Sequence, residues 1–553
     1  MHEPIVILTA KIIRTMDATV PTATAIAVRG DKIVALGDTD ELVSAYAGAE
    51  VDDRYADAVL TAGFVEAHAH VAGGFMGSPN YVGFFPRMAP DGSTLAGLTT
   101  IDAVLDKLRQ IAAALPQGAP VFARGLDMLF FPGEACERDE LDAVAADRPV
   151  VVLHASGHVV TVNSVGLAAA GFDESTAIDG VVKDANGRPT GELREFAAMA
   201  PVLASVGGGL GGNSAADIYD HARDARNHGC TTVTDLANTD VMTEEGLSTF
   251  KAATEAEDFP ARLVPFMFAA MAHTVSAATE AAERAVTLRG HTTPKLQLGA
   301  VKLMLDGSIQ QHTACLLEPG YLSGQTEGIW NVQPEFFVEQ LRPFYERGVL
   351  VHTHCNGDAA TEVFVDAVEA LMRDKPSANH RYTVTHSQLT TAAQYARMGA
   401  LGMCANIFSN HIWYWGDQHI DYTVGLDRVK RMNAPRSALN AGVPITLHCD
   451  TPVTPLDPLA TASYAVDRLT PTGRSWGGAE RLSVAEALGA ITLGAAYTLK
   501  LDHLIGSLAP GKYADLAVLD TDPYEASNGE DLRAITVLGT VVGGVHFPSP
   551  AAS

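Results

Sequence analysis

The stretch Val65-Glu-Ala-His-Ala-His70 decides how this chain is read. It closes an apolar run that begins at Val59. Side chains alternate along a strand, so His68 and His70 leave from one face and can grip a single metal ion. Four later runs end in the same way: Val301-Lys-Leu-Met-Leu-Asp306, Val351-His-Thr-His354, Thr383-Val-Thr-His386 and Ile445-Thr-Leu-His-Cys-Asp450. In a barrel of parallel strands the C-terminal ends converge on one mouth, where reactive side chains gather. Each element alone has an ordinary explanation. A single His-Ala-His pair is weak evidence, His354 or His386 alone reads as a hydrogen-bonded core histidine, and Asp450 ahead of Thr451-Pro452 reads as a helix N-cap. Lys302 inside an apolar run is harder to dismiss, because a buried ammonium is costly unless paired or neutralised. The series His-x-His, Lys, His, His, Asp, each on a strand-like run, is far more specific than any one member.

Outward from these runs, the middle of the chain alternates short apolar stretches with helical patterns such as Ser214 to Asn227 and Pro334 to Glu346. That alternation predicts a parallel α/β sheet, open or closed. Further strand-like runs lie at Val121 to Arg124, Val150 to His154, Thr231 to Asp235, Leu263 to Phe268 and Met403 to Ile407. The total exceeds eight, so some belong to an insertion, placed at about residues 75–215 where Gly and Pro interrupt the regular alternation. Both ends are β-rich: Ile5 to Leu8, Ala25 to Val28, Lys32 to Leu36, Leu516 to Leu519 and Ile535 to Val542. The expected organisation is a (β/α)8 TIM-like barrel over residues 59–504, with a small β-sandwich domain from residues 1–58 plus 505–553.

The 553 residues are 47% apolar, enough for a large core, and carry a net charge of -27. A phosphate backbone would be repelled by that charge, so nucleic acid is not an expected partner. The six cysteines are scattered with no Cys-x-x-Cys pair, which suits a reduced interior and a cytoplasmic location. No signal-peptide pattern and no apolar run of spanning length is visible, so no membrane association is expected.

With these residues in place, the chain resembles the amidohydrolase superfamily, in the branch called amidohydrolase family 3 that includes YtcJ-like proteins and N-substituted formamide deformylases. The resemblance spans nearly the whole chain. It is carried by Thr61-Ala-Gly-Phe-Val-Glu-Ala-His-Ala-His70, Val301-Lys-Leu-Met-Leu-Asp-Gly-Ser308, His354-Cys-Asn-Gly-Asp358, His386-Ser-Gln388, Cys449-Asp-Thr-Pro-Val453 and the tail Ile505-Gly-Ser-Leu-Ala-Pro-Gly-Lys-Tyr-Ala-Asp515. Gly157-His158 with Asn163 is similar to a family segment near the substrate pocket. The resemblance implies two divalent ions: one held by His68, His70 and Asp450, the other by His354 and His386, with Lys302 bridging as an N-carboxylated lysine. Zinc is the default for this ligand set, with manganese, cobalt or iron as alternatives. A homodimer is also implied. The sequence departs from the family pattern at Ala62 (usually Pro), Glu66 (usually Asp), Gln311-His312 (usually Ser-Arg) and His448-Cys449 (usually Gly-Ser). His448 should share the face of Asp450, as a group behind the ligands, a substrate contact or a ligand.

The expected activity is hydrolysis of an amide-type C–N bond in a small molecule, with Asp450 as general base and then acid. His158, His312, His448 and Trp415 are candidate substrate contacts, and Trp413, Tyr414 and Trp415 are a candidate aromatic wall. Lactone or carbamate hydrolysis, a mononuclear deaminase, an isomerase or decarboxylase, and a non-catalytic binding protein are the competing readings.

Overall fold

The computed structural model describes residues 3–71, 80–89, 91–205, 213–324 and 328–550. The parts of the expected insertion at 75–79, 90 and 206–212 therefore lie outside the described residues. At the centre is an eight-stranded parallel sheet. In chain order its strands are Phe64–Glu66, Cys230–Asn238, Arg262–Phe268, Ala300–Met304, Val351–Cys355, Thr383–His386, Cys404–Ile407 and Ile445–Leu447. Each pairs with the next, and helices such as Pro334–Glu346 and Asp358–Asp374 return the chain between strands. This is the expected barrel.

The first and eighth strands meet through the segments that follow them. The Asp450 N–H donates to the His68 carbonyl at 3.0 Å, and the His70 N–H donates to the Thr451 carbonyl at 2.9 Å. The buried Glu66 carboxylate accepts N–H groups from His68 and Cys449 at 2.9 and 3.2 Å, clasping the same seam. Gly63 makes the entry into the first strand possible. A Cβ there would lie 2.1 Å from Thr231 Oγ1 of the second strand, so any side chain would push the strands apart.

The large core packs the outer face of the barrel against its helices through Val233, Leu263, Val301, Phe337, Phe344 and Phe364, all fully buried. Inside the barrel, below the polar mouth, His352 donates through Nε2 to the Thr498 carbonyl at 3.1 Å and packs on Phe266. His352 is thus a structural histidine two residues before His354.

Strands from both ends of the chain form one continuous seven-stranded sheet. Its order is Val545–Pro548, Val537–Val542, Leu516–Leu519, Glu50–Ala62, Ile5–Arg14, Thr22–Arg29 and Lys32–Gly37. Arg262, at the start of the third barrel strand, fixes this sheet to the barrel. It forms a buried pair with Asp515 (2.7 and 2.9 Å), and its guanidinium lies 3.6 Å from the Tyr513 ring centroid.

Between the first and second barrel strands lies a separate five-stranded sheet, ordered Val181–Lys183, Pro189–Arg194, Val159–Val162, Val150–His154 and Val121–Leu126. The strand-like runs at 121 and 150 belong here and not to the barrel. All six cysteines are buried, and none is in a disulfide. Among the described residues no helix is long and apolar enough to cross a membrane.

Candidate metal centre

The polar ends of the barrel strands meet where the sequence placed them. Asp450 Oδ1 lies 3.2 Å from His68 Nε2 and 3.1 Å from His70 Nε2, and Oδ2 lies 3.6 Å from His386 Nδ1. His68 and His70 do share a face, with ring centroids 5.1 Å apart. Asp450 is not a helix N-cap. Its backbone is left-handed (φ 56°), as is that of His386 (φ 70°). Non-glycine residues rarely adopt that conformation, and they concentrate where function dictates side-chain direction. The imidazoles hold the Asp450 carboxyl well below its ordinary pKa against the opposing effect of burial. Burial keeps His68, His354 and His386 well below theirs, so each presents neutral nitrogen.

His354 sits beside this group, its ring 4.4 Å from that of His386. Its Nε2 lies 3.1 Å from the Gly307 carbonyl oxygen and 3.0 Å from Asn356 Nδ2. The loop that supplies this carbonyl is locked by Asp306. The Asp306 carboxylate accepts N–H groups from Asn356 (3.0 Å), Gly357 (2.8 Å) and Cys315 (3.1 Å). Gly357 is needed for that approach: a Cβ there would fall 1.8 Å from the Cys315 carbonyl oxygen. Asp358 is not part of the ligand set. It lies in the first turn of the following helix and accepts the Leu317 N–H at 2.8 Å.

Lys302 is buried on the fourth strand, one strand from His354, and its Nζ has no hydrogen-bond partner. Burial lowers it to about 7. An orphaned amine and a set of converging neutral imidazoles are what a divalent cation, with its bridging ligand, would satisfy. Among the described residues, two groups of three have ligand atoms within 4.8 Å of one another, His68–His70–Asp450 and His68–His386–His448. The residues therefore fit a metal centre. His354 and Lys302 border these groups without belonging to either.

The candidate substrate contacts divide. His158 comes from the inserted region to the mouth, its ring 5.0 Å from that of His354 and its Nδ1 2.9 Å from Glu195 Oε2. Burial works to lower its pKa, but the Glu195 carboxylate outweighs this and holds it above the ordinary value. Trp415 is buried, donates to Asp127 at 2.8 Å and packs on Phe408 and Val453. With Tyr81, Phe84, Phe85, Phe130 and Tyr414 it lines a small cleft. Trp413 does not share that wall. It turns away and stacks on Tyr464 at 5.2 Å, with Arg533 over its ring. His312 is held by the Tyr422 carbonyl and the Tyr321 ring. His411 and His419 bond to each other at 3.1 Å.

Glu195, Asn406 and Asp127 were not singled out from sequence, and Asp306 was marked only as the polar end of its strand-like run. A polar residue in the middle of a buried apolar run was the available signal for Asn406, in Cys404-Ala-Asn-Ile407. Glu195 follows a strand of the insertion and left no such mark.

A parallel eight-stranded barrel with imidazoles and a carboxylate converging at its C-terminal mouth is the scaffold of a metal-dependent hydrolase. The sequence profile of the amidohydrolase family matches residues 56–546, and the chain belongs to that family. The N-substituted formamide deformylase of Arthrobacter pascens is 28% identical over 567 residues, covering 96% of each chain. The Protein LONG AFTER FAR-RED 3 of Arabidopsis thaliana is 25% identical, covering 96% of this chain and 89% of its own. The same fold occurs in an uncharacterised metal-dependent hydrolase from Pyrococcus horikoshii OT3 (TM-score 0.69, 21% identity, 95% of this chain and 99% of that one).

Proposed function

We propose that the protein hydrolyses an amide-type C–N bond of a small molecule at a metal centre held by His68, His70, Lys302, His354, His386 and Asp450. The observation that carries this reading is the convergence of three strand-end imidazoles on the single carboxylate Asp450, beside a buried amine with no partner. Its likeness to a deformylase of N-substituted formamides over nearly the full length supports the C–N bond as the target.

Divalent ions at this site, zinc by preference for the mixed nitrogen and oxygen donors, would polarise the substrate carbonyl and make water acidic enough to attack near neutral pH. The neutral Lys302 amine could add carbon dioxide and release a proton, and the resulting carbamate would help the imidazoles and Asp450 hold divalent ions. Asp450 takes the proton of the attacking water and returns it to the leaving nitrogen. His158, braced through Nδ1 by Glu195, donates to the carbonyl oxygen as charge develops there. An apolar or aromatic portion of the substrate lies against Trp415 in the cleft.

The test is a hydrolysis screen of N-formyl, N-acyl and cyclic amides, with lactones alongside, on protein stripped by a chelator and reloaded with zinc or manganese. Amide turnover that requires the ion and falls by about 10²- to 10⁴-fold in Asp450→Asn is expected. Turnover confined to lactones would overturn the C–N assignment, and an unimpaired Asp450→Asn would remove the proposed base.

A further inference from the structure

His448 stands where the family pattern places a small residue, and its surroundings define it more tightly than a substrate contact requires. The side chain is fully buried, with Nδ1 2.6 Å from Asn406 Oδ1. The Asn406 amide cannot be turned around, because its Nδ2 donates to the Ala67 carbonyl at 3.1 Å. Asn406 therefore offers His448 only an acceptor, so His448 Nδ1 carries the proton and Nε2 keeps its lone pair. That lone pair faces inward. Nε2 lies 3.1 Å from His386 Nδ1 and belongs to the His68–His386–His448 group whose ligand atoms all fall within 4.8 Å. The His68 ring lies 4.9 Å from that of His448, and the Phe408 ring packs on His448 at 4.7 Å.

A metal-binding imidazole has this arrangement: one nitrogen tied to a fixed acceptor that sets the tautomer, the other with its lone pair turned toward the remaining donors, here within hydrogen-bond distance of His386 Nδ1. We infer that His448 is itself a metal ligand through Nε2, joining His68 and His386 in holding one ion of the centre, with Asn406 as its positioning residue. The inference rests on the metal-hydrolase reading and adds a donor to it. Three neutral nitrogen donors favour zinc, and also cobalt or nickel, over magnesium or calcium, whose chemistry demands oxygen.

The experiment titrates chelator-stripped full-length protein with Co²⁺ and Zn²⁺, following the visible absorption of cobalt and the bound ion by elemental mass spectrometry. Four proteins are compared: wild type, His448→Gln, His448→Gly and Asn406→Ala. For Asn406→Ala the expected loss of affinity is about 10- to 100-fold, the usual effect of removing the partner behind a ligand. For the two His448 variants it is at least as large, with a changed cobalt spectrum, and free imidazole restores binding to His448→Gly. Circular dichroism checks that the variants are folded, and rescue of His448→Gly by imidazole but not by pyrrole, which fills the same space without an available nitrogen lone pair, separates ligation from packing. If wild type binds an ion and folded His448→Gln binds it equally tightly with the same spectrum, the inference falls while the metal-hydrolase reading stands. If wild type binds no divalent ion, both fall.

Discussion

At the scale of single residues, the site is built from side chains that are costly where they stand. The left-handed backbones of Asp450 and His386 cost about 1–3 kcal/mol each, and the rest of the mouth must hold them in place. Asp450 is held by its N–H on the His68 carbonyl and by the Val453 N–H on its own carbonyl at 2.7 Å. Asp127 is a second such residue, set in the wall of the cleft. Burial pushes its carboxyl from 3.8 up to about 6 despite the N–H groups of Leu129 and Trp415 on its oxygens. The folded protein thus keeps this proton more tightly than the unfolded chain does. The resulting stabilisation is complete below about pH 4 and is lost as the pH rises through about 6, a difference of about 3 kcal/mol. Asp127→Asn removes the titration, so the variant's stability should fall less than wild type's between pH 4 and 6. Urea unfolding at several pH values measures it, and parallel curves for the two proteins would refute it. Residues of the first kind were legible in sequence because strand alternation announces them: His68, His70, His386 and Asp450 meet as the spacing requires. Glu195 and Asp127 were not, because they come from the insertion, where no periodicity links them to the barrel mouth.

At the scale of elements, eight short strands can be recognised one by one, but which ones pair cannot. Val121 to Leu126 and Val150 to His154 have the same apolar character as barrel strands, and their pairing in the five-stranded sheet, with Val121, Val150 and Val152 packed against the helix Ile101–Ala114, places them elsewhere. The seam between the first and eighth strands depends on one side chain that sequence marked only as a departure from pattern. Glu66 accepts backbone N–H groups from both sides of that seam, and burial raises its carboxyl to about 8. Glu66→Ala leaves two buried donors without acceptors, each worth about 1–3 kcal/mol. The expected result is a stability loss of at least about 2 kcal/mol together with lower metal content, because His68 and Asp450 flank the two donors. Glu66→Gln retains an acceptor oxygen and should lose less. Denaturant unfolding and elemental analysis of both variants test the point, and equal stability of Glu66→Ala and wild type would show that the seam is held by other contacts.

At the scale of the whole molecule, the two ends of the chain and the catalytic barrel form one mechanical unit. The strand Glu50–Ala62 belongs to the seven-stranded sheet and runs through Gly63 directly into the first barrel strand, which ends at Glu66, two residues before His68. Beside it, the Asp515 carbonyl accepts the Gly63 N–H at 3.0 Å, while the Asp515 carboxylate holds Arg262 and the Gly543 N–H. This gives a physical role to the closing motif Gly511-Lys-Tyr-Ala-Asp515, which sequence alone identified only as a family signature. Its Tyr513 ring and Asp515 carboxylate enclose the Arg262 guanidinium. Removing one partner of a buried ion pair costs about 3–5 kcal/mol, because the other charge remains buried and uncompensated, whereas replacing both by apolar groups is far milder. Asp515→Ala should therefore lower the urea-unfolding stability by that amount, and Arg262→Met combined with Asp515→Leu should recover much of it. Neither substitution touches the proposed metal ligands, so turnover per folded molecule should stay near that of wild type. A double variant as unstable as Asp515→Ala would mean that the pair, with its Gly543 and Tyr513 contacts, sets the geometry of the junction, beyond neutralising a buried charge.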